Sequence, residues 1–356
     1  MKGLYTPLKI FHYKEKLDSL PKEKDEILSP IHIRIKPTNR CNHNCRYCAY
    51  RVKKLQLGND MQVKDEIERR KMFEILNDVI DMGVKAVTFS GGGEPLLYPH
   101  FLECIHLLSQ SSICFSALSN GSNLHGELAR LFSENATWIR ISMDGWDDES
   151  YRRYRRVTGN EYTKIMNNME AFNKMNGKCL LGVSLIIDEE NHDKIYQQIK
   201  RLKGIGVDNV KISPCIVNNS GKLNNEFHQS FFNRAKEEAQ KAKEDLEDEN
   251  FEIYDSYHEL DEKFQKNYSW CPFQQILSVI GADLNVYPCQ DKAYNLDIGL
   301  IGSIKNKRFK DFWYEDKSNF FKIVPSTDCQ HHCVANQKNQ LVLNYLNCDI
   351  DHLSFV

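Results

Sequence analysis

The feature that most constrains the fold is an alternation of short β-rich runs with helical stretches between residues 31 and 214. The six runs are IHIRIK (31–36), VKAVTFS (84–90), ICFSALS (113–119), TWIRISM (137–143), CLLGVSLII (179–187) and VKIS (210–213). Between them apolar residues recur at helical spacing, as at Met72, Ile75, Val79 and Met82, and Gly83 follows as a stop signal. Strands that alternate with crossover helices predict an α/β fold with a parallel sheet.

The composition changes after residue 215. The charged run RAKEEAQKAKEDLEDEN (234–250) is typical of a solvated helix, and from about residue 254 the chain becomes aromatic, cysteine-containing and turn-rich. There ILSVIGADLNVYPC (276–289) predicts a strand, a turn and a second strand. We therefore expect four segments: an N-terminal extension (1–30), the main α/β domain (31–230), a linking helix (231–253) and a small second domain (254–356).

Charge and hydropathy narrow the possible partners. The formal net charge of the 356 residues is -2, and neither a long basic run nor about 18 consecutive apolar residues occurs. We therefore expect a cytoplasmic protein that binds a small molecule, and neither nucleic acid nor a membrane. The 12 cysteines are many for such a chain, and their close spacing favours metal ligation over disulfides. Four of them, in or beside apolar segments, are expected in the core: Cys104, Cys114, Cys179 and Cys215.

Three cysteines follow the first predicted strand in the spacing C-x3-C-x2-C: Cys41, Cys45 and Cys48. A 4Fe-4S cluster normally takes four thiolates, so three leave one iron open for a ligand that is not protein. The triplet lies beyond the carboxyl end of a strand, where barrel folds place active sites. A structural zinc site with His43 as the fourth ligand is the alternative.

The sequence TNRCNHNCRYC, the GGGEP at 91–95 and the strand pattern resemble the radical S-adenosylmethionine superfamily across residues 31 to about 215. The resemblance implies a partial (β/α)6 TIM-like barrel in which S-adenosylmethionine chelates the open iron. It also implies reductive cleavage to a 5'-deoxyadenosyl radical, with a flavodoxin- or ferredoxin-type protein as electron donor. In the family the GGEP turn binds the methionine amino group, which points to Gly92, Gly93 and Glu94.

Other positions match the family's cofactor contacts less specifically. Five polar side chains in the triplet or near strand ends are expected to contact the cofactor: Tyr47, Asn120, Ser142, Asp144 and Ser184. Arg155 stands eleven residues after Asp144, where many relatives have an arginine that pairs the methionine carboxylate. A guanidinium suits a carboxylate because it can bind both oxygens. Three neighbouring arginines are alternatives: Arg152, Arg153 and Arg156.

A second cysteine set resembles the twitch or SPASM extensions of the superfamily, over residues 255 to about 348. Its four thiols, Cys271, Cys289, Cys329 and Cys333, would close one auxiliary 4Fe-4S cluster with no open iron. Cys348 is an alternative to Cys329, and His331 with His332 offers a zinc site instead.

The turn of the predicted hairpin departs from the family. The usual glycine five residues before the second cysteine is Leu284 here, so we expect the turn to be made differently, around Gly281 and Asp283.

A fully ligated cluster near the substrate can accept an electron, which favours an oxidation such as alcohol to ketone. The step needs a proton acceptor, and residues next to the second cysteine set are candidates: Asp291, Lys292, Tyr257 and His258, with Gln290, Tyr254, Asp255 and Glu259 beside them. By resemblance to enzymes of carbohydrate and polysaccharide biosynthesis, the leading substrate is a sugar or nucleotide-sugar, modified by dehydrogenation, epimerisation or dehydration. A peptide- or protein-modifying maturase and a non-catalytic iron-sulfur protein are the alternatives.

Overall fold

The structure is a computed structural model that describes residues 3–20, 27–52, 55, 58–257, 264–349, 351 and 354. Its strands are β1 (His32–Ile35), β2 (Ala86–Phe89), β3 (Cys114–Ser119), β4 (Trp138–Met143), β5 (Leu180–Ile187), β6 (Asn209–Pro214), β7 (Glu252–Asp255), β8 (Leu277–Ile280), β9 (Asn285–Tyr287) and β10 (Gly302–Ser303). The described strands form one sheet in the order β10-β9-β8-β1-β2-β3-β4-β5-β6-β7.

Strands β1 to β7 are parallel and follow one another in sequence order. The six predicted strands are confirmed, each with ends within two residues of the expected ones. The segments that follow the strands therefore meet at one edge of the sheet, the carboxyl rim. This rim carries the cysteine triplet after β1 and the glycine turn after β2, as the partial TIM-like barrel predicts.

Helices cover the outer face of the barrel. They are α1 (Lys14–Asp18), α2 (Arg69–Asp81), α3 (Phe101–Ser109), α4 (Gly126–Asn135), α5 (Asp148–Arg155), α6 (Glu161–Asn173), α7 (Ile195–Gly204), α8 (Gly221–His228), α9 (Phe232–Leu246), α10 (Leu296–Gly299), α11 (Phe309–Glu315), α12 (Pro325–Asp328) and α13 (Asn336–Leu346). In α2 the predicted apolar face is buried at Met72, Ile75 and Val79. No helix in the described parts of the chain is long and apolar enough to cross a membrane.

The strands alternate between an apolar outer face and a polar inner face. On β1, Ile33 and Ile35 are fully buried in the core beneath the helices. His32 and Arg34 therefore point into the barrel. There the His32 Nε2 lies 2.8 Å from the Thr88 hydroxyl, which lies 2.7 Å from the Ser116 hydroxyl. The barrel interior is thus polar and hydrogen-bonded.

The C-terminal part of the chain continues the same sheet. Strand β8 pairs in parallel with β1, with Leu277 opposite His32, and β9 returns antiparallel to β8 as the sequence predicts. At the other edge of the sheet β7 pairs with β6. This strand was not expected, and it crosses the boundary that was expected between the linking helix (231–253) and the second domain (254–356). The predicted linking helix is present as α9. The division of the chain into four segments stays a prediction.

The turn between β8 and β9 corrects one expectation. Leu284 itself adopts the left-handed conformation, with φ of 61°, and donates its N–H to the Gly281 carbonyl at 3.0 Å. The carboxylate of Asp283 supports the turn by accepting hydrogen bonds from the Asn285 N–H and the Tyr287 hydroxyl. The leucine is therefore held in the conformation that glycine adopts at no steric cost.

The expectation of four core cysteines is correct for three of them. Cys104, Cys179 and Cys215 are buried, whereas Cys114 is exposed. Cys114 begins β3 on the face opposite the buried Phe115, at the amino end of the barrel, where no helix covers it.

Candidate active site

A cavity of about 360 Å³ opens at the carboxyl rim of the barrel. It is lined by the loop after β1, the turn after β2 and the ends of β3 to β6. Predicted residues among its lining are Cys41, Cys45, Tyr47, Cys48, Gly92, Gly93, Glu94, Asn120, Ser142 and Arg155. Side chains that the sequence did not single out also line it: Tyr50, Arg51, Ser90, Ser119, Pro214 and Ile216. Most of these are immediate neighbours of the predicted motifs, which is the signal that could have found them.

The loop that carries the triplet is held against the end of α5. The N–H groups of Asn44 and Arg46 donate to the carbonyls of Arg155 and Tyr154, each at 2.9 Å. Tetrahedral zinc with Zn–S bonds of about 2.3 Å brings thiolates to about 3.8 Å of one another. Among the described residues, the triplet and His43 form no group of three ligand atoms within 4.8 Å. These residues are therefore not gathered as tetrahedral zinc ligands, and the His43 Nε2 lies 3.0 Å from the Ser122 hydroxyl instead.

Burial shapes the chemistry of these thiols. It raises the pKa of Cys41 to about 11 and also raises the pKa of Cys45, although Arg155 opposes the second shift. Both thiols are therefore protonated at neutral pH until iron binds. Cluster binding must then release protons, as metal binding by cysteine generally does.

The turn after β2 is tightly packed around Glu94. The Glu94 carboxylate accepts hydrogen bonds from the Ser119 hydroxyl at 2.8 Å and from the Asn120 N–H at 2.7 Å. A Cβ at Gly93 would lie 2.1 Å from the Arg40 carbonyl oxygen, and one at Gly92 would lie 2.4 Å from the Asn39 side chain. Glycine is therefore required at both positions for the turn to reach the triplet loop.

Two buried hydroxyl groups face this cavity without a partner. The Tyr47 hydroxyl and the Ser90 Oγ have no hydrogen-bond partner among the residues that the structure describes, and both residues line the cavity. Buried polar groups are normally hydrogen-bonded, so these two call for a polar ligand. Together with the glycine turn they fit a cofactor such as S-adenosylmethionine.

Of the four neighbouring arginines, Arg155 lines the cavity. Its Nη1 lies 3.4 Å from the Cys45 sulfur and its Nη2 donates to the Ser142 carbonyl at 2.8 Å. Arg152 and Arg153 are exposed, and their guanidinium groups bind the Gly159 carbonyl and Glu190. Arg156 ends α5 in the left-handed conformation.

Three of the predicted polar contacts have protein partners or lie apart. Asp144 is fully buried behind Arg155 and is not part of the cavity lining, so it acts on the cavity through the arginine. Asn120 donates from its side chain to Asn42 at 2.8 Å. Ser184 lies opposite Ser142 in the sheet but outside the cavity lining.

The second cysteine set lines one small enclosed cavity of about 30 Å³. Cys271, Cys289, Cys329 and Cys333 all contribute to its lining, and the Asn339 amide lies 3.2 Å from the Cys271 sulfur. Cys348 is exposed and points to the Asn344 carbonyl. The geometry therefore favours Cys329 over Cys348.

The zinc alternative for this set is weak. His332 turns to the side chain of Asn225, at 3.0 Å. His331 shares a group of ligand atoms within 4.8 Å with Asp291 and Cys333, while the four sulfurs form no such group among the described residues. A site that combines two histidines with these cysteines is therefore not assembled, whereas four spaced thiols fit a cluster.

The two cavities are joined by consecutive residues. Gln290 lines the large cavity, and Cys289, directly before it, lines the small one. A group held by Cys289 thus lies beside the wall of the cavity that the triplet occupies.

The four proton-acceptor candidates differ in environment. Tyr257 is fully buried away from both cavities, with its hydroxyl 3.0 Å from the His228 Nδ1. Lys292 is buried and donates to the Asp328 carbonyl. The Asp291 carboxylate is 23% exposed and lies 3.8 Å from His331. His258 lies outside the described residues.

Comparison with known proteins gives a family match for part of the chain. Residues 35–202 match the family described as the Radical SAM superfamily. A cysteine-type anaerobic sulfatase-maturating enzyme of Clostridium novyi is 25% identical over 313 residues, 81% of this chain and 80% of the relative. Matches of 26% and 24% identity cover 54% and 49% of this chain in proteins of Archaeoglobus fulgidus and Helicobacter pylori. In these two the chain spans 44% and 58% of the relative.

Two solved structures share the fold. Streptococcus suis SuiB bound to the precursor peptide SuiA superposes with a TM-score of 0.64 at 15% identity, over 88% of this chain and 71% of that one. The protein anSMEcpe with bound AdoMet gives a TM-score of 0.61 at 18% identity, over 89% of this chain and 96% of that one. Residues 35–202 thus form a Radical SAM superfamily domain, within a chain that carries the cysteine triplet and shares the fold of both solved structures.

Proposed function

We propose that this chain oxidises a polar substrate and that its auxiliary cluster accepts the electron. The observation that carries the proposal is the direct succession of Cys289 and Gln290, which brings the closed cysteine set to the wall of the large cavity. A redox group in that position can exchange an electron with a substrate bound beside Gln290.

The ligand assignments belong to the same proposal. Two cysteine sets would hold the two clusters: Cys41, Cys45 and Cys48 the open one, and Cys271, Cys289, Cys329 and Cys333 the closed one. The lining residues Tyr47, Gly92, Gly93, Glu94, Asn120, Ser142 and Arg155 would surround S-adenosylmethionine, with Asp144 holding Arg155 in place. When bound, these groups supply a hydrogen-atom acceptor and an electron acceptor, so an alcohol carbon that also loses its hydroxyl proton becomes a carbonyl.

Among the proton-acceptor candidates, Asp291 is best supported. It directly follows Gln290 and is partly exposed, whereas Tyr257 is buried elsewhere and Lys292 is bound to a backbone carbonyl. A flavodoxin- or ferredoxin-type electron donor and a cytoplasmic location also remain proposals.

The leading candidate for the substrate is a sugar or nucleotide-sugar. Polar side chains in the lining of the large cavity, such as Arg51 and Gln290, support a substrate that carries hydroxyl groups. A second candidate is side-chain oxidation in a peptide or protein. The Clostridium novyi sulfatase-maturating relative supports it, because that match extends over 81% of the chain.

The catalytic proposal is tested with reconstituted protein, dithionite and S-adenosylmethionine under anaerobic conditions. We expect 5'-deoxyadenosine in the wild type and none in Cys45→Ala. Absence of 5'-deoxyadenosine from the wild type would favour a non-catalytic iron-sulfur protein.

The substrate classes are separated by isotope transfer. Deuterated nucleotide-sugars and a deuterated serine- or cysteine-containing peptide are incubated in parallel, and deuterium in 5'-deoxyadenosine identifies the substrate. Cys289→Ala is expected to retain deuterium transfer and lose the oxidised product. Full product formation by this variant would contradict the electron-acceptor role.

A further inference from the structure

Arg34 points into the barrel from β1. Its neighbours Ile33 and Ile35 are fully buried on the outer face, and side chains alternate along a strand. In the register of the sheet Arg34 lies opposite Thr88, whose hydroxyl is hydrogen-bonded inside the barrel. The guanidinium therefore belongs to the interior of the barrel.

The guanidinium of Arg34 has no protein partner. Its Nε is buried without a hydrogen bond, and within residues 3–20, 27–52, 55, 58–257 and 264–349 the other nitrogens make neither a hydrogen bond nor an ion pair. Arg34 as a whole is half-buried, and partial withdrawal of a cation from water costs free energy unless an acceptor is present. A retained arginine without an acceptor therefore points to an anionic group that the protein itself does not supply.

Arg140 provides a contrast within the same barrel. It points inward from β4, and its Nη2 donates to the Tyr5 hydroxyl at 2.9 Å while its guanidinium stacks near the Tyr5 and Trp138 rings. Tyr5 in turn donates to Asn209 at 2.6 Å. Arg140 is thus built into the packing of the barrel, whereas Arg34 is not.

The charges around Arg34 are mostly positive. Burial lowers the pKa of Arg34, and Arg140 lowers it further, while Tyr50, Asp291 and Cys289 oppose the shift. Burial and then Arg34 lower the pKa of Lys36, which donates to the Tyr50 hydroxyl at 2.6 Å. Lys338 is a further basic group close to Arg34, whereas His32 is uncharged at neutral pH because burial lowers its pKa to about 3. Two carboxylates act on these bases, Asp291 on Arg34 and Lys36 and Asp283 on Lys36, so the basic groups outnumber the acidic ones and a further anion would be attracted.

The position of Arg34 connects it to the proposed substrate. Two of the groups that act on it electrostatically, Tyr50 and Cys289, line the large and the small cavity. Two residues further along the chain, Lys36 donates to the Tyr50 hydroxyl and to the Gly91 carbonyl, and both of these residues line the large cavity. Arg34 therefore lies next to this lining without being part of it, whereas Arg155, the guanidinium predicted for the methionine carboxylate, lines the cavity itself.

We propose that Arg34 binds an oxyanion of the substrate, a carboxylate or a phosphate, and so restricts this enzyme to anionic substrates. The inference rests on the proposed function, since it names the substrate class of the same site. A planar guanidinium can bind two oxygens of either anion, which fixes the orientation of the substrate as well as its affinity.

The test compares the reconstituted holoenzyme with Arg34→Met and Arg140→Met. Inorganic phosphate and acetate are the probes, at constant ionic strength, and calorimetric affinity and the melting temperature are the readouts. We expect Arg34→Met to weaken binding of the probes by about tenfold to a hundredfold. Without probe we expect it to melt above the wild type, because a half-buried charge without a partner is removed, and Arg140→Met to melt below it.

Two outcomes would overturn the inference. One is unchanged probe affinity in Arg34→Met, and the other is a lower melting temperature of this variant without probe, which would indicate a structural role. The affinity for S-adenosylmethionine separates the two possible sources of a carboxylate. It should be unchanged in Arg34→Met, and its loss would assign Arg34 to the cofactor instead.

Failure of the proposed function can be distinguished from failure of the proposal for Arg34. Cleavage of S-adenosylmethionine to 5'-deoxyadenosine by dithionite without substrate should persist in Arg34→Met, because the cofactor lining is intact. If the wild type itself forms none, the catalytic proposal fails whatever the probes bind.

Discussion

The guanidinium of Arg155 and the carboxylate of Asp144 form a buried ion pair, in which Nε lies 3.0 and 2.9 Å from the two carboxylate oxygens. Removal of one partner from such a pair leaves a buried charge uncompensated. We expect Asp144→Asn to lower the free energy of unfolding by about 3 to 5 kcal/mol, measured by anaerobic urea denaturation. The exposed pair of Arg130 and Glu134 is the control, and Glu134→Gln should cost less than about 1 kcal/mol. Equal losses in both variants would contradict the structural role of Asp144.

Cys329 and Cys348 can be distinguished by iron content. The enclosed cavity includes Cys329, while Cys348 is exposed. We expect about eight irons per chain in the wild type and in Cys348→Ser. In Cys329→Ser we expect a destabilised auxiliary cluster and about four to eight irons per chain. Iron analysis with electron paramagnetic resonance of the reduced protein measures this. Loss of the auxiliary signal from Cys348→Ser alone would reverse the assignment.

At Leu284 the glycine variant should be more stable than the alanine variant, which reverses the usual order of stability. Because its φ is 61°, alanine is strained there and glycine is not. We expect Leu284→Gly to be more stable than Leu284→Ala by about 1 kcal/mol, although both variants lose the leucine side chain. Leu107 in helix α3 is the matched control, at which the alanine variant should be the more stable one. The same order at both positions would rule out strain at Leu284.

Lys16 should make stability depend on pH. Burial lowers its pKa to about 7, from the usual value near 10.4 in the unfolded chain. Between these values the unfolded chain binds more protons, so stability rises with pH from about 7 to about 10. We expect Lys16→Met to melt higher than the wild type at pH 7, with the difference shrinking towards pH 10. The exposed Lys14, paired with Asp18, is the control, and Lys14→Met should show no such convergence.

The strands and both cysteine sets could be predicted because their signals are local. Runs of apolar residues marked six strands, and the spacing of the cysteines marked two groups of thiols. Strand β7 was missed because EIYD is short, mixed in polarity and follows directly on a charged helix.

Partnerships between distant residues could not be predicted. Tyr257 was a candidate because it stands before Cys271 in the sequence, but its hydroxyl meets His228, 29 residues away, in the core. The alternation along β1 places Arg34 inside a barrel, yet only the assembled interior reveals that no described residue binds its guanidinium. Strain at Leu284 was hidden because the residue type gives no indication of a left-handed backbone.

The pairing of β8 with β1 has a consequence for electron transfer. The Lys36 N–H donates to the Ile280 carbonyl at 2.9 Å, so the strand that leads to the triplet is bonded directly to the hairpin that leads to Cys289. The separation of the two redox centres is therefore set by strand alignment and could change only in whole-residue steps of about 3.3 Å. A shift of one residue would also turn every side chain of β8 to the opposite face. An insertion in β8 therefore cannot adjust the electron-transfer distance without reversing the faces of the strand. Changes in the loops around the cysteines can adjust it.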